Sequence, residues 1–352
     1  MLRRTALILQ PDAYPESIRR SHASRRDRHE ESGDPRHGQT VSRETGDRRN
    51  RRTDPLPADN AHTIWQAWPS FTLADPVPGN PAEELPELLG PDEAAAALFQ
   101  IGWAALMQGL LRDAHPCLTQ SYTLAVETGQ APAAVVSALQ LAHLNALAGK
   151  PDETTIWLER SLETAARASE AAWASIWPRI HQGFLWLIDD RLALAEQRFV
   201  EMAARLAGVA AFQSHRASVV VGMGMVALAR GDLTGADAYF HEALRAPHQL
   251  YGFIYVSAHL GIARLAALRN DLPGARTMLL HTLHYTVQRA LLPEYVRTVI
   301  EVARIERDFG DPAPVLAHLR SAARLARSAG LAPLAAAASA LSTRLEESHR
   351  VP

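Results

Sequence analysis

Gly222-Met223-Gly224, followed by Ala229-Arg230-Gly231-Asp232-Leu233, Ala236, Phe240 and Ala243-Leu244, is the stretch whose reading decides the fold. Gly231-Asp232 stops one apolar helical run and caps the next, so the stretch predicts a helical hairpin. Gly224 falls in the middle of the first helix, and Ala236 and Phe240 lie one turn apart on the second. Small side chains let two helices approach closely, and a large one fills the space beside them.

The same three positions recur outward from this stretch. The small column is Gly102, Ala142, Gly183, Gly224, Ala263 and Ala303, in steps of 40, 41, 41, 39 and 40. Twelve residues later come Ala114, Thr154, Ala195, Ala236, Ala275 and Val315. Four further on come Leu118, Leu158, Phe199, Phe240, Leu279 and Leu319. Turn residues separate the runs at Gly109, Gly149-Lys150-Pro151-Asp152, Asp189-Asp190, Asn270-Asp271 and Gly310-Asp311-Pro312. Asp189-Asp190 is read as the acidic cap of a helix starting near Arg191. Residues 331–347 read as one extra helix closing the stack, with a polar, solvent-facing end.

The spacing at Gly224, Ala236, Phe240 and Ala243 resembles the tetratricopeptide (TPR) repeat. It departs from that family in its period and in lacking the first-helix aromatic residues in most units. Longer TPR-like units of this kind resemble the superhelical sensor region of MalT/LuxR-type bacterial transcription activators. The resemblance spans about residues 92–347. It implies an all-α, right-handed superhelix of about six hairpins with a C-terminal capping helix.

Flanking segments read differently. Residues 1–60 hold 13 arginines against 10 acidic residues and few large apolar side chains. Such a segment cannot offset its ordering entropy, and a disordered tail is expected. Residues 61–91 carry Trp65, Trp68 and Phe71 as docking anchors. Pro76, Pro78, Pro81 and Pro86 predict an extended linker there. Residues 348–352 complete the chain as a short tail.

Composition narrows the function. Net charge is −2, which gives no global pull toward nucleic acid or anionic lipid. The one short basic cluster, Arg48-Arg49-Asn50-Arg51-Arg52, is diluted by Asp47 and Asp54, so direct nucleic-acid binding is not expected. No apolar run approaches the ~18 residues of a membrane span, and the expected compartment is the cytoplasm. Cys117 is the only cysteine, which excludes an intrachain disulfide and a cysteine-rich zinc site. It precedes a core leucine and reads as a buried, inert thiol. Gly149-Lys150 is followed by proline and lacks the earlier glycine of a phosphate-binding loop. His281 and His284 share a helix face without an acidic partner, so no metal or cofactor is expected. No nucleophile–base–orienter set is visible; an enzyme with an unrecognised site is the remote alternative.

One further column carries a functional reading. The residue after each small position is Trp103, His143, Phe184, Met225, Arg264 or Arg304. In TPR-like hairpins this position points into the concave groove, and Phe99, Trp177, Arg297 and Arg307 read as neighbours. One half of the groove is then apolar and aromatic, the other cationic. It suits an extended protein or peptide, or a small effector with an apolar body and an acidic end. Asn145 is the clearest amide for a peptide backbone. The same column also reads as hairpin packing with the arginines as a solvated face. The expected role is a non-catalytic binding scaffold, the sensor or interaction part of a bacterial regulatory system. A receptor for a small effector or signalling peptide is the alternative.

Overall fold

The computed structural model describes residues 64–167, 175–209, 212–245 and 252–350, with side chains as far as 347. Apart from the backbone of 348–350, both predicted tails and the Arg48–Arg52 cluster lie outside these residues. The described chain is all α-helical. A short α1 (Pro81–Leu88) precedes six hairpins. They pair α2 (Pro91–Met107) with α3 (Leu111–Glu127), α4 (Ala131–Leu147) with α5 (Pro151–Arg167), and α6 (Ile176–Ile188) with α7 (Leu192–Leu206). The other three pair α8 (Gln213–Ala229) with α9 (Leu233–Leu244), α10 (Gly252–Leu268) with α11 (Leu272–Gln288), and α12 (Leu292–Phe309) with α13 (Leu316–Ser328). A single α14 (Ala332–Arg350) follows, ending three residues beyond the helix read from the sequence.

The small and large columns meet as expected. A Cβ built on Gly102 would lie 2.7 Å from Leu118 Cγ; on Gly183, 2.8 Å from Phe199 Cε1; on Gly224, 2.7 Å from Phe240 Cε1. Each phenylalanine also presses on a second glycine, in the next hairpin. Phe199 packs on Gly222, and Phe240 on Gly261, so each ring lies in a slot between two first helices. Both rings are fully buried. The repeat extends to hydrogen bonds. Ser121 Oγ donates to the Ala95 carbonyl and Ser161 Oγ to the Val135 carbonyl, each at 2.8 Å and each across its own hairpin.

Several helices end in left-handed residues with backbone bonds back to the last turn, as at Gly149 (φ 75°), where Lys150 N–H donates to the Asn145 carbonyl. Asp232 and Asp271 cap α9 and α11, accepting from Gly235 and Gly274 N–H at 2.9 Å. Asp189-Asp190 departs from the sequence reading. Asp190 is the left-handed residue ending α6 (φ 57°), and Arg191 precedes α7 with no side-chain cap. A short polar side chain tolerates that backbone region, so the acid serves the preceding helix.

The extended reading of residues 61–91 is corrected at Pro81–Leu88, which is helical. Pro81 stands at the helix start, where its missing N–H costs nothing, and α1 packs on α2 and α3. The anchors before it do dock. Trp65 is buried, and its Nε1 donates to Glu306 Oε1 at 3.0 Å. Trp68 Nε1 donates to Tyr295 Oη at 3.2 Å, and its ring stacks on His318 with centroids 4.1 Å apart. They dock on α12 and α13, the last hairpin. Val77 N–H then reaches Asp113 on α3. This strap joins the two ends of the repeat.

Those ends touch directly as well. A Cβ on Gly109, between α2 and α3, would lie 2.9 Å from Leu292 Cδ2 at the start of α12. One on Gly149, between α4 and α5, would lie 3.4 Å from Ala332 Cβ at the start of α14. One apolar cluster therefore runs from the strap through the first hairpins to α12, α13 and α14. Six hairpins complete a full superhelical turn. At this seam Glu306, fully buried, accepts from Arg276 Nε and Nη2 at 2.7 and 2.8 Å, besides Trp65.

Candidate binding site on the inner face

Each first helix touches the first helix of the next hairpin, from α2 through α14, whereas neighbouring second helices make no comparable contact. Helices that crowd their neighbours form the layer of smaller radius, so the first helices line the inner face. On α6, Trp177, His181 and Phe184 follow at i, i+4 and i+7, one stripe of the helix.

Around this stripe the structure gathers groups from five hairpins. His143 on α4 meets His181 edge-on with centroids 6.1 Å apart. Trp177 contacts His181 at 5.8 Å and His215 of α8 at 4.3 Å. Phe184 packs edge-on against Phe253 of α10 at 5.1 Å. The Arg297 guanidinium of α12 lies 4.9 Å from the Phe253 centroid. Arg297 also donates to Glu294 at 2.7 Å and to Ser257 Oγ at 3.2 Å. The Arg297 charge also disfavours the His143 imidazolium.

The histidines are held neutral. Each keeps part of its surface open while protein surrounds it. Burial, then His181 and Arg297, pushes His143 down to about 3. Burial pushes His181 and His215 each down to about 4, with the Trp177 carbonyl partly opposing it at His181. A neutral imidazole offers one donor and one acceptor. His215 Nε2 is buried without a hydrogen-bond partner. The row can therefore stack an apolar or aromatic group and exchange hydrogen bonds with it.

The other residues named from sequence fall as follows. Trp103 is half-buried on α2. Phe184 and Met225 are half-buried and pack into the core beside α8 and α10, the hairpin-packing position. Arg264 and Arg304 share Glu301, at 3.7 and 3.6 Å, and Arg264 also meets Asp308 at 3.1 Å. Arg307 pairs with Asp308 as well. The cationic half of the groove is thus largely neutralised by acids on α12. Asn145 is buried, and its Nδ2 donates to the Leu141 carbonyl, so it does not face the groove. Cys117 is buried, and burial followed by Asp113 pushes its thiol up to about 11. His281 and His284 are exposed. Among the described residues no group of three or more His, Cys, Asp or Glu is placed to hold a metal, and no helix is long and apolar enough to cross a membrane. Sequence reasoning missed His181, His215, Phe253 and Ser257. The i, i+4, i+7 spacing from Trp177 was the signal for His181.

No protein-family model matches the chain, and no curated protein matches it. Among solved structures, one from a functional characterization of Pseudomonas aeruginosa pilF is similar at 18% identity and a TM-score of 0.39, over 67% of this chain and 94% of that one.

Proposed function

We propose that the protein is a non-catalytic scaffold that binds an extended segment of a partner protein along the inner face of its superhelix. The observation that carries this reading is the row His143, His181, Trp177 and His215. Side chains from three hairpins form one continuous surface there, aromatic in body and neutral in charge. An extended segment suits it, because alternate side chains can stack on Trp177 while its backbone bonds to the imidazoles. A segment that bridges several hairpins alters how they pack on one another, and so transmits its presence through the stack. A sensor part of a bacterial regulatory system would work this way, and the repeat's resemblance to such regions supports that finer role.

The test is an affinity capture from native cell extract with the full chain as bait, beside a Trp177→Ala bait of matched helicity and melting temperature. A protein retained by the wild type and lost from the variant supports the reading. Equal recovery on both baits contradicts it. A small effector is the second reading, favoured by the unpartnered His215 Nε2 beside Trp177. An apolar compound that raises the melting temperature of the wild type but not of Trp177→Ala would select it.

A further inference from the structure

Away from the inner face, three arginines of the α6–α7 hairpin converge on one carboxylate. Arg205 Nη2 lies 3.0 Å from Glu201 Oε1, Arg198 Nη1 3.2 Å from Oε2, and Arg179 Nη1 3.8 Å from Oε1. Arg179 stands two residues from both Trp177 and His181, so it points to the opposite side of α6. The cluster is independent of the binding face described above.

Glu201 cannot satisfy all three. Arg198 Nη1 is near it yet not hydrogen-bonded, and the Nε groups of Arg198 and Arg179 are buried with no acceptor. The next acid on α7, Glu196, is taken by Arg230 at 2.6 Å. Three guanidinium groups against one carboxylate leave a surplus of two positive charges. Arg179 also lies in the first turn of α6, where the helix dipole adds positive potential. The arrangement is braced. The Arg198 guanidinium sits 5.2 Å from the Trp186 ring centroid, with Arg191 at 5.7 Å from the same ring. A stacked guanidinium is held in one orientation before any ligand arrives.

We propose that Arg179, Arg198 and Arg205 form a subsite for a dianionic phosphate group, with Glu201 holding its place until the phosphate arrives. The charge selects the ligand. With Glu201 swung aside, three guanidinium charges face the subsite, and a phosphate group, at about −1.5 to −2 at neutral pH, answers more of that charge than a single carboxylate does. The guanidinium forks offer the paired donors that phosphate oxygens accept. Glu201 is partly exposed on a long side chain, so it can swing aside and release the donors it now occupies. Free inorganic phosphate and a phosphomonoester on a peptide or small molecule share this chemistry.

The test is calorimetric titration of the full chain with inorganic phosphate and, separately, with O-phosphoserine, ionic strength being held constant with chloride. Wild type should give saturable binding to at least one of them. Arg205→Gln, at a half-exposed position where folding is preserved, should bind about tenfold more weakly, the loss expected for one charge-assisted hydrogen bond. Glu201→Gln should bind more tightly than wild type, because the competing carboxylate is gone. Tighter binding of O-phosphoserine assigns the subsite to phosphomonoesters, and tighter binding of inorganic phosphate assigns it to the free ion. The proposal is overturned if neither anion binds saturably to wild type and Glu201→Gln, or if Arg205→Gln binds as well as wild type.

Discussion

Gly224→Ala isolates the contact on which the whole stack depends. The new Cβ would lie 2.7 Å from Phe240 Cε1 and 2.9 Å from Cδ1. Carbon atoms settle at about 3.5–4.0 Å, so the ring must retreat by about 1 Å. Its other face already presses on Gly261, and the ring is fully buried, so there is nowhere to go. Overpacking of this kind costs ~1–3 kcal/mol, and the confinement on both faces puts it near the top of that range. Replacing glycine by alanine inside a helix returns ~1 kcal/mol of propensity. The net expectation is a loss of ~2 kcal/mol, read as a lower urea midpoint at unchanged m-value. In a Phe240→Leu background the sign should reverse, because the shorter side chain vacates the space that the methyl needs. A Gly224→Ala protein that resists urea as well as wild type, or better, refutes the two-glycine slot.

Two other perturbations act on the seam and on the inner face. Glu306→Ala leaves Arg276 unpaired in a largely buried site and removes the acceptor of Trp65 Nε1, so a loss of ~3–5 kcal/mol is expected by thermal melting, with a change in tryptophan fluorescence as the strap loosens. Stability should also fall as pH drops from 6.5 toward 4. The folded state holds His143, His181 and His215 neutral there while the unfolded chain takes up protons, at up to ~1.4 kcal/mol per pH unit for each histidine, less the part of each ring that meets solvent. Burial raises Glu301, which acts in the opposite sense over the acid end of that window. His143→Gln/His181→Gln should therefore flatten the pH dependence of the melting temperature; an unchanged slope in that variant would remove these histidines from the explanation.

The hairpins were legible because their signal is local and periodic. A small residue, a step of twelve and a step of four lie within one turn-bounded unit, and the geometry requires them in each. Phenylalanine stands opposite glycine at 183/199 and 224/240, while leucine stands opposite alanine at 142, 263 and 303 and opposite glycine at 102. The seam was not legible. Trp65 could be recognised as an anchor, but its partner Glu306 is 241 residues away, and nothing local names it. The groove was half legible. The column through His143 lies along the first helices, yet nothing in its spacing shows that Glu301 and Asp308 on α12 answer Arg264 and Arg304. Ion pairs between repeats depend on the rotation from one hairpin to the next, which the period alone does not specify. The helix at Pro81–Leu88 was missed because proline was weighed as a breaker and not as a helix starter.

The first hairpins return onto the last. That closure is tested most directly by a disulfide between Gly149→Cys and Ala332→Cys, 183 residues apart in sequence. The built Cβ of residue 149 lies 3.4 Å from that of Ala332, at the short edge of the ~3.5–4.5 Å that a disulfide spans. Mild oxidation of the folded double variant should give a monomer of increased electrophoretic mobility that reverts on reduction, with Cys117 still protected from labelling. If both introduced thiols stay free and reactive under conditions where the protein is folded, the ends do not meet, and the superhelical turn described here is contradicted.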